Sequence, residues 1–546
     1  VQFKGVLEIE PDRESAQQKV REIDTKLKQD QSISVIGDER PVKPRKNYLI
    51  QLNTQQAILG TIAAVIALVG GGFGIYQFSP SCSEGQQKVH GRCVTPGTQP
   101  TPIPTPTPIP TQGNSVNIED KISRGDRPLF SDIPNTYRDQ GIKAFKTGNY
   151  PQAINLFQNA RGNNLEDPEL LIYYNNAKAH DTAKTRGNKP LTLAVVVPVD
   201  NAKAIAEEIL RGVAQAQNEF NANPPNNRLL EIVIANDGND LEQAKQIAQR
   251  LVKDESVLGV IGHHSSAATE AALPIYEKAG IPVISPTSTA NNLTNNSSNS
   301  VFFRTAPSDT VSGKVLADYV KKSRVNKVVV FYNSNSSPQG TYSNSLREEF
   351  IKNFENDQGQ IFRKINLTNQ TLNIEQELKD AASQQVQAAI LFPDVEHKGV
   401  AVNIAEVNTK NNLRLKLFGG DSLYSKERLQ DAGNVFEGLV IVVPWFKEAQ
   451  KSKNFTDSAK KYWGERVDIS WRTAASFDAT QAFIKSLPFN PLRERILERL
   501  RGINLSSQLT SGDKLIFKDG ERQSQPILVE VENGQFKCLK TQECSP

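Results

Sequence analysis

From Leu191 onward, short apolar runs alternate with amphipathic helices, and no other feature restricts the fold as much. LTLAVVVPVD (191–200) reads as a continuous apolar strand, followed by a helix carrying Ile205, Ile209, Val213, Ala216 and Phe220 on one face. LLEIVIAND (229–237) is a second strand, and Leu241, Ala244, Ala248 and Leu251 form the inner face of a second helix. VLGVIGH (257–263) and IPVISP (281–286) extend the series. The pattern restarts at KVVVFY (327–332) and continues through IFRKINL (361–367), AAILFP (388–393), LKLFGGD (415–421) and GLVIVVPW (438–445), with helices around 346–354, 378–382 and 400–407. Strands apolar on both faces, alternating with helices, call for a parallel sheet covered on both sides. The expectation is therefore an α/β fold over 190–540, with two doubly wound parallel-sheet lobes joined by hinge segments. Lobe 1 takes about 190–305 and 446–505, and lobe 2 about 306–440 and 510–540. Ligands of such sheets bind beyond the carboxyl ends of the strands.

At 546 residues the chain exceeds one ordinary core, and its preceding third reads differently. AILGTIAAVIALVGGGFGIYQF (57–78) is uncharged and long enough to cross about 30 Å of hydrocarbon, which predicts a transmembrane helix. Arg40, Lys43, Arg45 and Lys46 precede it and no basic residue follows before Lys88, so residues 1–48 are expected in the cytoplasm and those after about 79 outside it. The span begins too late for a cleaved signal, which favours an uncleaved anchor. Lipidation of Cys82 is disfavoured, because Ser79-Pro80-Ser81 lacks the apolar residue expected before a lipid-accepting cysteine. The four cysteines form two close pairs, Cys82 with Cys93 and Cys538 with Cys544, which suits an oxidising compartment and lacks zinc-like spacing. Residues 79–114 combine the first cysteine pair with the tract TPGTQPTPIPTPTPIPTQ, an extended polyproline stalk. In 115–186, Tyr137, Gly141, Gly148, Tyr150, Ala153, Phe157 and Ala160 match a tetratricopeptide-like helix pair, read either as a helical spacer or as a protein-docking surface. A net charge of +4 gives no case for nucleic-acid binding.

Small hydroxyl residues gather where two of the strands end. Ser265 and Ser266 stand between VLGVIGH and the helix AATEAALPIYEKAG, and Thr287, Ser288 and Thr289 follow IPVISP. A serine cap, free amides and the helix dipole together favour an anion such as a carboxylate. Asp421, directly after LKLFGG in the second lobe, is placed to pair with an ammonium. Read singly, the serines are ordinary helix caps and the aspartate an ordinary turn residue. Their occurrence at corresponding strand ends of both lobes points to recognition of an α-amino acid.

The stretch VIGHHSSAATEAALPIYEKAGIPVISPTSTANNLT, followed by FFRTAPSD, resembles the branched-chain amino-acid binding proteins of bacterial ABC transporters, the type I periplasmic-binding family. The resemblance covers about 190–535. It implies that Ser266 and Thr289 hold a ligand carboxylate through amide and hydroxyl, and that backbone groups of Ser265, Thr287 and Ser288 complete that wall. It further implies that Asp421 binds the ammonium and that Tyr342, in GTYSNSL, closes from the second lobe. Where the family commonly carries Glu this chain has the shorter Asp421, and Asp394-Val395 replaces a frequent aromatic. Asp394 accordingly reads as preferring a polar or basic ligand, or as a cap of the following helix. Tyr332, Tyr424 and Trp471 lie near the cleft rim, with core packing expected of Trp471 and loop packing of His263 and His264. Neither a phosphate loop nor a nucleophile elbow is present, so no enzyme activity, cofactor or metal is expected. The implied role is a single-pass protein of a bacterial inner membrane, periplasmic after about 79, that captures a small amphoteric solute for an ABC permease. Rival expectations are a ligand sensor, or a periplasmic regulatory or scaffold protein using the fold and the helical region for protein contacts.

Overall fold

The computed structural model describes residues 117–539, except 132–133, 163, 295–299 and 335–339, together with 87–89 and 92–94. In a unit ending at Ile109, β1 (Gln87–Val89) pairs antiparallel with β2 (Arg92–Val94). The expected span at 57–78, the segment 1–48, Cys82, Cys544 and most of the stalk lie outside the described residues. Among the described residues, no helix is long and apolar enough to cross a membrane. Cys538 is in a disulfide.

The second unit, 110–546, opens with β3 (Ile122–Ser123) and three helices: α1 (Thr136–Lys146), α2 (Tyr150–Gly162) and α3 (Pro168–Arg186). Asn135 and Asp167 cap α1 and α3, and Gly187 ends α3 in the left-handed conformation. Gly141 lets α1 approach the Phe157 ring, where a Cβ would stand 2.7 Å away. Tyr137 is exposed, while Phe157 is fully buried against Gly141.

The first lobe contains β4 (Leu191–Val197), α4 (Lys203–Ala222), β5 (Leu230–Asn236), α5 (Leu241–Val252), β6 (Val257–Ile261), α6 (Ser266–Ala279), β7 (Val283–Ser285) and β8 (Phe302–Arg304). Its parallel core has the spatial order β5-β4-β6-β7-β8, the doubly wound arrangement with its switch point between β4 and β6. Every residue of β4, β5 and β6 is buried, as their two-faced apolar sequences require.

The second lobe repeats the plan. It runs through α7 (Asp309–Lys322), β9 (Lys327–Tyr332), α8 (Gly340–Asn356), β10 (Gln360–Asn366), α9 (Ile374–Ser383), β11 (Ala388–Phe392), α10 (Lys398–Lys410), β12 (Lys416–Gly419), α11 (Lys426–Ala432) and β13 (Val440–Val443). The order β10-β9-β11-β12-β13 matches the first lobe. β10 departs from the two-faced apolar pattern: Gln360, Arg363 and Lys364 are exposed, and such charges protect an edge strand from pairing with another chain.

The chain then returns to the first lobe through α12 (Lys453–Trp463), α13 (Trp471–Ser486) and α14 (Arg493–Arg501). α13 lies deep against α4, and Gly212 permits the approach, since a Cβ there would strike the Thr473 carbonyl. Here the lobe boundaries differ from expectation. β14 (Asn504–Leu505), β15 (Leu515–Lys518) and β16 (Glu521–Arg522) join the first sheet beside β8, so residues 515–522 do not belong to the second lobe. Only β17 (Ile527–Glu532) and β18 (Gln535–Cys538) complete the second sheet, antiparallel at its β13 edge. Both sheets are therefore mixed, with antiparallel strands at their margins.

Candidate functional site

The loops that follow β6, β7, β11 and β12 meet between the lobes, at the carboxyl ends of strands in both sheets. They line a cavity of about 40 Å³ that widens to open space at its mouth. Its lining includes Ser265, Ser266 and Thr287 from the first lobe and Tyr342, Asp394 and Asp421 from the second. The lobes also touch across its edge. Thr341 donates to Glu270 (3.0 Å), the Asn291 amide to Ser345 Oγ (3.0 Å), and Asn291 Nδ2 to Glu349 (3.1 Å). The cleft is shut.

On the first wall Ser265 is the N-cap of α6, its hydroxyl accepting from the Ala268 amide at 3.2 Å. The amides of Ser266 and Ala267, one turn short of any helical acceptor, find no partner among the described residues, and the dipole of α6 adds positive potential there. The neighbouring loop is committed inward. Ser285 Oγ accepts from the amides of Thr287 (3.3 Å) and Ser288 (3.0 Å) while donating to the His263 carbonyl (2.8 Å). Ser266 Oγ accepts from the amides of Thr289 and Ala290, both at 3.2 Å. The expected carboxylate contacts through the amides of Thr287, Ser288 and Thr289 are therefore not available in this conformation. Ser288 is fully buried, its hydroxyl among Thr269 and the His263 and His264 carbonyls. Thr289, also buried, stands behind the cavity against Asp309, whose carboxyl is pushed up to about 7 chiefly by burial.

His263 packs as expected. It is buried in a chain from Asp237 Oδ2 (2.7 Å) to the Tyr276 hydroxyl (3.1 Å), which anchors the loop leading into α6.

On the opposite wall Asp421 begins the turn after β12 and faces the cavity. Burial raises its carboxyl to about 6, although the Tyr342 hydroxyl bonded to it, the Arg472 charge and the Ser422 amide all favour the ionised form. Gly420 makes this geometry possible, because a Cβ there would overlap the Tyr342 hydroxyl and the Leu346 side chain. Asp394 lines the same wall. Its Oδ1 accepts from the amides of Glu396 (3.0 Å) and His397 (2.9 Å) and meets His397 Nδ1 at 2.7 Å, so it caps the following turn, while Oδ2 stays buried and unpartnered.

Five lining residues are not among the expected site residues: His264, Val395, Ser422, Trp471 and Arg472. Trp471, expected in the core, is buried yet also lines the cavity and stacks under the Arg472 guanidinium at 4.6 Å. Tyr424 is buried against Phe536, away from the cavity lining, and Tyr332 carries the Arg347 guanidinium at 4.2 Å. Arg472 left one sequence signal: a cation in the first turn of a nearly wholly buried helix opposes the helix dipole and requires acceptors. It finds Glu208 (3.1 Å) and the Tyr424 carbonyl (3.2 Å).

Two doubly wound lobes over one cavity, with the amino end of a helix on one wall and a carboxylate on the other, define a two-lobed receptor for a small ligand. The chain belongs to the periplasmic binding protein family, whose model matches residues 190–535. It is 32% identical over 153 residues to an amino acid binding protein of Pseudomonas aeruginosa, covering 28% of this chain and 41% of that protein. It is 27% identical over 277 residues to a leucine-, isoleucine-, valine-, threonine- and alanine-binding protein of the same organism, covering 50% of this chain and 71% of the relative. In fold it resembles a branched-chain amino acid transporter substrate binding protein of Streptococcus pneumoniae in complex with isoleucine, at TM-score 0.57 and 19% identity, covering 64% of this chain and 98% of that one. These relatives are binding proteins, which at a coarse level makes this chain a binding protein and not an enzyme. Among the described residues there is no cluster of His, Cys, Asp or Glu able to hold a metal ion.

Proposed function

We propose that this protein captures an α-amino acid or a similar small amphoteric solute between its lobes and delivers it to an ABC permease. The observation that carries this reading is that Ser266, at the amino end of α6, lines the same cavity as Asp421 and Tyr342 of the other lobe. The amides and the α6 dipole take the carboxylate, and Asp421 takes the ammonium. Contacts from both walls to one ligand make the shut state the favoured one, since a ligand shifts the equilibrium by its differential affinity for the two states. The uncharged segment 57–78 and the basic residues before it support an anchor in a bacterial inner membrane, with the lobes periplasmic. The helical region 115–186 is a candidate contact for a protein partner of the tetratricopeptide type.

The test is thermal unfolding of the purified chain against the proteinogenic amino acids. Saturation at about 100 times Kd adds about 2.7 kcal/mol, a shift of a few degrees. A folded protein that shifts with none of them overturns the proposal.

A further inference from the structure

Among the described residues, four buried polar atoms of residues lining the cavity have no partner: Nε of Arg472, Nε1 of Trp471, Oδ2 of Asp394 and Nε2 of His264. Buried polar groups in folded proteins are almost always paired, so four beside one cavity point to a ligand. Their hydrogen-bonding sense follows from their neighbours. Thr287 Oγ1 gives its only proton to the His264 carbonyl at 2.7 Å, so its 3.1 Å contact with His264 Nδ1 is carried by a proton on that nitrogen. Nε2 is then a bare acceptor, and burial together with the nearby Arg472 and Lys398 charges keeps the ring neutral. Oδ2 of Asp394 is also an acceptor, because Oδ1 holds the turn. Nε of Arg472 is a donor, and the charge of that guanidinium is already met by Glu208 at 3.1 Å.

Resting on the amino-acid reading above, we infer that the side-chain end of this site takes an uncharged group carrying both N–H donors and a carbonyl acceptor, a carboxamide such as that of glutamine or asparagine. The amide NH2 supplies protons to Asp394 and His264, and the two lone pairs of the carbonyl accept from Arg472 and Trp471. An aliphatic side chain leaves all four atoms unpaired. A carboxylate satisfies Arg472 but confronts two lone pairs, and a guanidinium satisfies the acceptors but confronts Arg472. A site built to hydrogen-bond its ligand discriminates strongly against an analogue lacking those groups.

The experiment is calorimetric titration of the full chain with glutamine, asparagine, leucine, glutamate and arginine. Glutamine or asparagine is expected to bind at least about tenfold tighter than the other three. In Asp394→Asn the turn keeps its Oδ1 acceptor, so the new NH2 must stand where Oδ2 was, and the preference is expected to move from glutamine toward glutamate. Leucine, glutamate or arginine binding tightest, or an unchanged preference in folded Asp394→Asn, overturns this inference and leaves the amino-acid receptor standing. Binding of none by the folded chain overturns both.

Discussion

At the end of the cavity that takes a ligand's charged groups, the first lobe offers backbone amides of α6, whereas the second offers a carboxylate and a phenol. Hydroxyls of the first wall, those of Ser285, Ser266 and Ser288, are turned into the protein, where they join one loop to the next and leave the α6 amides facing outward. On the second wall Asp421 is desolvated by burial, with Tyr342 and Arg472 offsetting only part of that cost. A wall of amides tolerates change in its side chains as long as the loop holds its shape. A wall resting on one carboxylate does not.

The largest effect should come from Asp421→Ala. Truncating one partner of a buried charge pair costs about 2–5 kcal/mol, so amino-acid affinity should fall by about thirtyfold to several thousandfold in calorimetry. Because burial of the ionised carboxyl opposes folding, the ligand-free variant should melt no lower than the parent at pH 8. Gly420→Ala displaces Tyr342 and should weaken binding by about tenfold while leaving the fold intact by circular dichroism.

Acidity should separate the walls more finely. An ammonium needs the ionised Asp421, so proton and ligand compete; affinity is full above about pH 6 and should fall by about tenfold per unit below it. A profile flat between pH 7 and 4.5 would show that this carboxyl does not meet the ammonium.

Ser266→Ala leaves the buried Thr289 and Ala290 amides without an acceptor and should lower stability by about 1–3 kcal/mol in denaturant titration, with a smaller effect on affinity than Asp421→Ala. Thr341→Val removes one bond across the mouth, and a change in affinity of no more than about threefold is expected.

How much of this was legible in the sequence depended on periodicity. β4, β5, β6, β9 and β11 stood out because strands covered on both faces have little choice but to be apolar throughout. β14, β15 and β16 did not: two to four residues long, paired antiparallel at a sheet margin, they carry no pattern that assigns them to one lobe or the other. At the site, the strand-end positions of Ser266 and Asp421 could be read directly, and Ser265 is the helix cap its type suggests. What could not be read was the inward use of the Thr287–Thr289 amides, which depends on Ser285 and Ser266 meeting that loop in space. Arg472 lies about 200 residues from Ser266 and is brought to the cavity only because α13 returns from the second lobe to pack on α4.

The side chain of Asn176 on α3 imitates a peptide group, accepting from the Ile232 amide at 2.9 Å and donating to the Ile232 carbonyl at 2.7 Å, while β3 extends the sheet beyond β5. The three-helix segment and the first lobe thus form a single block. An opening of the proposed cleft would carry the three-helix segment along with the first lobe, so a protein seated on those helices would ride with that half of the receptor.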